Sequence, residues 1–230
     1  MDNIKGVIFD YGGTLDTDGM HWFHVFRRAY AEYLPQVGEE QLREAYVYAE
    51  RYLATHYVVE PDDDFLAMLC KKVRIQLSEL HVGSESVGIE IASHCDMLVR
   101  KNMHQTRQVL ETLSASYPMV LVSNFYGNIH SVLQSYEIDC YFKEVVESAV
   151  VGIRKPDPQI FALGVEALDL APDEVVVVGD SYSKDIVPAH TIGCHTVWLK
   201  GQGWNAADEP DDTSCADNII TTLSQVLEVV

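Results

Sequence analysis

Positive charge is scarce in this chain. Its 230 residues carry 16 lysines and arginines against 35 aspartates and glutamates, a net charge of −19 at pH 7. So acidic a surface repels phosphate backbones and anionic lipid, which excludes nucleic acid and membrane as expected partners. It also repels anionic small molecules, so any anion site needs a local positive cluster or a metal ion. Cysteine is sparse and unpatterned: Cys70, Cys95, Cys140, Cys194 and Cys215 are odd in number and scattered, with no CxxC. They read as reduced thiols of a cytoplasmic protein rather than a disulfide framework. No signal-peptide segment, membrane-length apolar run, internal repeat or low-complexity stretch is visible. The hydrophobic content of 47% is ample for a packed interior, which excludes disorder.

The chain is organised around Lys5 to Asp16, KGVIFDYGGTLD. Val7, Ile8 and Phe9 form a continuous apolar run that ends in Asp10, and Gly12 and Gly13 break it. This pattern suits a strand buried on both faces that hands a carboxylate to the rim of a sheet. Open α/β sheets bind ligands at that carboxyl edge.

Thr17 to Gly19 reads as a short polar hinge, and from Met20 to about Leu80 the pattern is helical. His21 to Tyr33 is aromatic-rich at helical spacing, and Pro35 to Gly38 interrupts it. Glu39 begins a second helix to about Thr55. The carboxylates of Pro61-Asp62-Asp63-Asp64 are placed to cap a third, Phe65 to Leu80. Gly83 to Gly88 reads as a linker. A long helical segment then runs from Ile89 to Ser114, with a break expected near Asn102.

Further apolar strands follow: Met119 to Val122, ending in Ser123-Asn124; Glu144 to Val146; Val175 to Val178, ending in Gly179-Asp180; and His195 to Leu199. Between them lie expected helices at Gly127 to Tyr136, Lys184 to Ile192 and Pro158 to Leu168, the last with Asp157 as N-cap. Asp208, Glu209, Asp211 and Asp212 read as a solvated acidic turn, and a last helix begins near Thr221. Strands alternating with helices at these spacings predict a parallel α/β sheet, with an all-helical insert after the first strand.

A parallel sheet brings Asp10, Ser123-Asn124 and Asp180 to one rim. Lys155, in the loop Gly152 to Pro156, and Asp185, on the turn after Asp180, join them. Each residue alone reads as a strand-end turn, a cap or a surface charge, and their common placement at strand ends carries the argument. Three converging carboxylates oppose one another's ionisation. A hard divalent ion such as Mg²⁺ resolves the conflict and attracts phosphate. With one lysine and one serine hydroxyl, the cluster suits a phosphoryl group.

With these motifs the chain resembles the haloacid dehalogenase superfamily. Asp10 with Thr14 in DYGGT matches its first motif, Ser123 the second, Lys155 in RKPDP the third, and Asp180 with Asp185 in GDSYSKD the fourth. The resemblance implies a Rossmann-like core at residues 1–16 and 89–230 and a helical C1-type cap at 17–88. It implies a Mg²⁺-dependent phosphohydrolase acting on a small phosphorylated metabolite through an aspartyl-phosphate. Asp10 is then nucleophile and metal ligand, and Ser123, Asn124, Thr14 and Gly13 surround the phosphoryl group. Lys155 balances charge, and Asp180, Asp185 and the Gly12 carbonyl complete the metal site.

Gly12 departs from the pattern, because the family's phosphatases place a general acid/base aspartate there. Members that cleave carbon–halogen or carbon–phosphorus bonds also lack it, and form the rival reading. Dehalogenases need no metal, whereas the phosphonate-cleaving members use a cap lysine as a Schiff base. Lys71 and Lys72 are the only lysines of the insert, and both are expected to be solvated. A binding domain without turnover is a third reading. His21 and His24 are expected as packing residues, with one of them a candidate replacement acid. The sequence sets neither substrate identity nor oligomeric state.

Overall fold

A computed structural model describes residues 3–204, 210 and 212–230. Six parallel strands form one sheet in the order β3-β2-β1-β4-β5-β6. They are β1 (Gly6–Phe9), β2 (Met119–Ser123), β3 (Glu144–Glu147), β4 (Val175–Gly179), β5 (His195–Leu199) and β6 (Asn218–Ile220). β1 is central, with Phe9 in register with Leu121 on one side and Val178 on the other. The chain winds outward through β2 to β3, then crosses back past β1 to β4. That reversal opens a crevice at the carboxyl ends of β1, β2 and β4, the place where such sheets hold ligands.

The inner strands are apolar throughout because both faces are covered. Val7, Phe9, Leu121, Val176 and Val178 pack into one cluster with the helices that follow β1. Ile8, Val120, Val122, Val175 and Val177 face the opposite way, against Ile160, Phe161 and Val165 of the helix Gln159–Leu168. This two-faced burial is the reason these strands show no polar alternation.

Four helices separate β1 from β2: α1 (Trp22–Tyr33), α2 (Glu39–Thr55), α3 (Phe65–Leu80) and α4 (Glu85–Ser114). The starts of α1, α2 and α3 follow the sequence signals. His21 Nδ1 accepts the Phe23 N–H, and Asp64 Oδ1 accepts that of Ala67 at 2.8 Å. The expected linker to Gly88 is shorter, since Ser84 caps α4 through Val87. The expected break near Asn102 does not occur. Asn102 instead donates its side-chain amide to the Asp16 carbonyl (3.1 Å), and one turn later the Thr106 hydroxyl donates to the Leu15 carbonyl. An unbroken α4 thus clamps the loop that follows β1.

The later elements are α5 (Ile129–Ser135), α6 (Ser148–Val151), α7 (Gln159–Leu168), α8 (Val187–Thr191) and α9 (Val226–Val229). Asp157 accepts the Gln159 N–H at 3.0 Å, as a cap for α7 should. The helix expected from Lys184 is divided into a wide turn, Tyr182–Ile186, and the short α8. The edge strand β6 and the four-residue α6 lack sequence signals, because three or four residues carry no readable period. Asp208, Glu209 and Asp211 of the expected acidic turn lie outside the described residues. Among the described residues, no helix is long and apolar enough to cross a membrane.

Candidate active site

Asp10 follows the last residue of β1, and its N–H donates to the Val178 carbonyl of β4 at 3.0 Å. The sheet itself therefore fixes the backbone of this carboxylate. Lys155 Nζ lies 2.5 Å from Asp10 Oδ1 and 2.7 Å from Asp185 Oδ1, with all three side chains buried. Thr14 donates its hydroxyl to Asp10 Oδ2 (3.1 Å) and accepts the Asp180 N–H (3.0 Å), joining the first and fourth motifs through one oxygen. Asp185 Oδ2 accepts the Ser181 N–H, and Trp198 Nε1 holds the Asp180 carbonyl at 2.8 Å. One ligand oxygen from each of Asp10, Asp180 and Asp185 can be chosen so that all three lie within 4.8 Å of one another.

Three carboxylates face one ammonium here, and burial acts first on the acidity of Asp10 and Asp180. Burial pushes the Asp10 carboxyl up to about 6; Lys155 pulls it back and Asp185 pushes it further up. Burial, then Asp10 and Asp185, hold Asp180 well above the carboxylate range. Burial works against charge on Lys155, yet Asp10 and Asp185 keep it above the ordinary lysine value. A donor set of three hard oxygens with surplus negative charge fits a divalent cation such as Mg²⁺.

Gly13 has φ +100°, and a Cβ there would lie 2.4–2.6 Å from the Asp180 carboxylate. Only glycine permits this approach. Its N–H donates to Asp16 Oδ1 at 2.7 Å, while Trp22 Nε1 donates to Oδ2 at 2.7 Å. Asp16 closes the organising stretch, but its role as the staple of this loop has no signature in the sequence. It is wholly buried, and burial raises its carboxyl to about 7 against the pull of these two donors. Gly12 is different: its φ is −79°, and a Cβ would meet nothing closer than the Trp22 ring at 4.0 Å.

Ser123 ends β2, the neighbour of β1 in the sheet, and is buried. The Asn124 side chain grips the Lys155 peptide from both sides: Oδ1 accepts the N–H (2.9 Å) and Nδ2 donates to the carbonyl (3.1 Å). That clamp positions Lys155 and leaves the Asn124 backbone amide, rather than its side chain, for a ligand.

Above the rim the two insert lysines separate. Lys71 pairs with Asp63. Lys72 is not solvated as expected but buried, paired with Glu50 of α2. Tyr126, three residues past Ser123, donates to Glu50 Oε2 (2.5 Å) and accepts from Lys72 Nζ (3.1 Å). Burial disfavours the charge on Lys72, but Glu50 and Tyr126 raise its pKa above that of an ordinary lysine. An amine held protonated is a poor Schiff-base nucleophile, which counts against the phosphonate reading.

Of the two histidines, His24 turns away and bonds the Gly203 carbonyl through Nε2 at 2.8 Å. His21 lies within electrostatic reach of Lys184, Glu50 and Lys72. Burial first, and Lys184 next, lower its pKa to about 4.

Residues 4–193 match the family model of haloacid dehalogenase-like hydrolases. The chain is 38% identical over 94 residues to the glyceraldehyde 3-phosphate phosphatase of Pyrococcus furiosus, covering 41% of this chain and 39% of that one. It is 32% identical over 135 residues to the phosphoglycolate phosphatase of Photobacterium profundum, covering 56% and 58% respectively. The matches thus span about two fifths and three fifths of those relatives' lengths. A solved dehalogenase with an intermediate complex superposes with a TM-score of 0.69 at 20% identity, over 100% of this chain and 98% of that one. That likeness speaks for the fold alone.

Proposed function

From a chain that belongs to the haloacid dehalogenase-like hydrolases, we propose a Mg²⁺-dependent phosphohydrolase for small phosphorylated metabolites. The observation that carries this reading is the convergence of Asp10, Asp180 and Asp185 around a single ammonium, Lys155. Asp10, Asp180, Asp185 and the Gly12 carbonyl would hold the ion. When bound, it supplies the positive charge that draws in phosphate and screens the nucleophile from it.

An Asp10 carboxylate oxygen attacks phosphorus, and the bond to the leaving oxygen breaks. Water then attacks the aspartyl-phosphate at phosphorus, releasing phosphate and regenerating Asp10. Lys155 offsets the charge that develops, and Thr14 holds Asp10 in line. The Ser123 hydroxyl and the Asn124 amide bind phosphoryl oxygens, and Gly13 lets Asp180 approach. Residues 17–88 act as the cap over a core formed by 1–16 and 89–230.

The acidic cluster favours this reading over dehalogenation, whose nucleophile needs no metal. Phosphate release from a panel of phosphorylated metabolites, acyl phosphates and phosphonates, with and without Mg²⁺, tests it. Metal-dependent release is expected. Release of halide from 2-haloacids without metal, or no turnover of any compound, would overturn it.

A further inference from the structure

The roof of the crevice contains a second polar cluster that the phosphoryl chemistry does not use. Glu50 pairs with Lys72 and accepts a hydrogen bond from Tyr126. Tyr126 belongs to the loop that follows Ser123, and Tyr46 packs against His21, just past the loop that carries Thr14 and Asp16. The cluster therefore lies on the ligand side of the rim. Lys72 Nζ has two hydrogen-bond partners, Glu50 and Tyr126. It also lies over the rings of Phe26, Tyr46 and Tyr126, at 5.6, 5.4 and 5.4 Å. The Glu50 side chain keeps 31% of its surface accessible while Lys72 keeps 5%, so the carboxylate forms the open face of the pair.

We infer that Glu50, Lys72 and Tyr126 form a leaving-group subsite that selects a neutral, hydroxyl-bearing group on the phosphorylated substrate. This rests on the phosphohydrolase reading of the rim. A hydroxyl matches the open face of the pair because it donates to the Glu50 carboxylate and carries no charge of its own. A carboxylate there is repelled by the exposed Glu50, and an ammonium gains little, because Glu50 is already paired with Lys72. Neither charge is available to neutralise a ligand, because each already neutralises the other. Lys72 pulls the Glu50 carboxyl below its usual range, against the effect of burial. Both members therefore stay ionised at neutral pH.

The test is equilibrium binding to the Asp10→Asn protein in Mg²⁺, where no turnover intervenes. Glycerol 3-phosphate and propyl phosphate share a phosphoryl group and differ in hydroxyls. Glycerol 3-phosphate should bind about tenfold more tightly, the size of one or two hydrogen bonds to charged partners. Glu50→Gln and, separately, Tyr126→Phe should shrink that preference several-fold. Tyr126→Phe removes one oxygen and keeps the inference testable if Glu50→Gln does not fold. Equal affinity for the two phosphates, or tighter binding of phosphoglycolate or phosphoethanolamine, would overturn the subsite. Turnover of acetyl phosphate by the unaltered protein reads the rim separately. Its absence refutes the hydrolase reading and leaves the binding preference measurable.

Discussion

The rim and the roof of the crevice bury ionisable groups in opposite ways. At the rim three carboxylates share one lysine, and burial first, with the neighbouring carboxylates behind it, raises Asp10 and Asp180. At the roof one carboxylate meets one ammonium, so Glu50 falls and Lys72 rises. Buried charges survive when paired and hydrogen-bonded. The roof meets that condition within the protein itself, whereas the rim meets it only when something positive arrives. The difference teaches where chemistry is to be sought: an unbalanced cluster is built to receive a cation and an anion, a balanced one to recognise.

The largest effect should come from breaking the rim at its nucleophile. Asp10→Asn conserves volume but replaces a carboxylate by an amide, a far poorer nucleophile. Phosphate release should become undetectable while thermal unfolding remains cooperative; wild-type-like release by the folded variant would refute the covalent route. Next comes the balance of charge. Excess chelator should abolish activity, and Asp180→Ala should lose both activity and its response to added Mg²⁺. Full activity in chelator would show that the rim needs no cation.

The rim was far more legible in the sequence than the roof, for a physical reason. Asp10, Ser123 and Asp180 each end an apolar strand, so a local pattern announces them, and parallel pairing brings them together. Lys155 and Asp185 were legible through their place in the same order. Glu50, Lys72 and Tyr126 come from α2, α3 and a loop 54 residues beyond Lys72. Nothing local distinguishes them from a solvated helix face. Asp16 was hidden differently: its partners, Gly13 and Trp22, are near in sequence, but only the sharp turn at Gly13 aims them at it. The strands of the sheet interior were readable from their apolar runs, whereas the short edge strand β6 was not. α4 runs unbroken past Asn102, whose side chain makes a tertiary bond to Asp16 that no local pattern announces.

A third effect sharpens the comparison by adding a carboxylate to the rim. Gly12 has an ordinary negative φ and free space up to Trp22, so Gly12→Asp should fold. Without an acid there, turnover should favour acyl and aryl phosphates, whose leaving groups need no proton. The variant should accelerate sugar phosphates by up to about 10² to 10⁴ and hardly change acyl phosphates. kcat/KM across a series of leaving-group pKa values checks this for both proteins. A flat dependence in the unaltered protein would mean that another group supplies the proton, and His21 is then the first to replace.

The smallest effect concerns stability, and it tests whether the roof is as balanced as its geometry implies. His21 caps α1 and lies within electrostatic reach of Glu50, Lys72 and Lys184. A proton on its ring would place an extra positive charge beside a pair that is already neutral. In the folded protein its pKa is held near 4, chiefly by burial and then by Lys184, against about 6.5 when unfolded. The unfolded chain therefore takes up the proton first as the pH falls. The contribution of neutral His21 is complete above about pH 6.5 and is lost between there and about pH 4, at most about 3 kcal/mol. His21→Asn retains a side-chain oxygen able to accept the Phe23 N–H, and asparagine is a favoured cap. The variant should keep the helix while losing this titration. Urea midpoints at pH 7 and pH 4.5 should fall further for the unaltered protein than for the variant, since every carboxylate is common to both. Parallel falls would show that the ring is accommodated charged, and that the roof can accept a second cation.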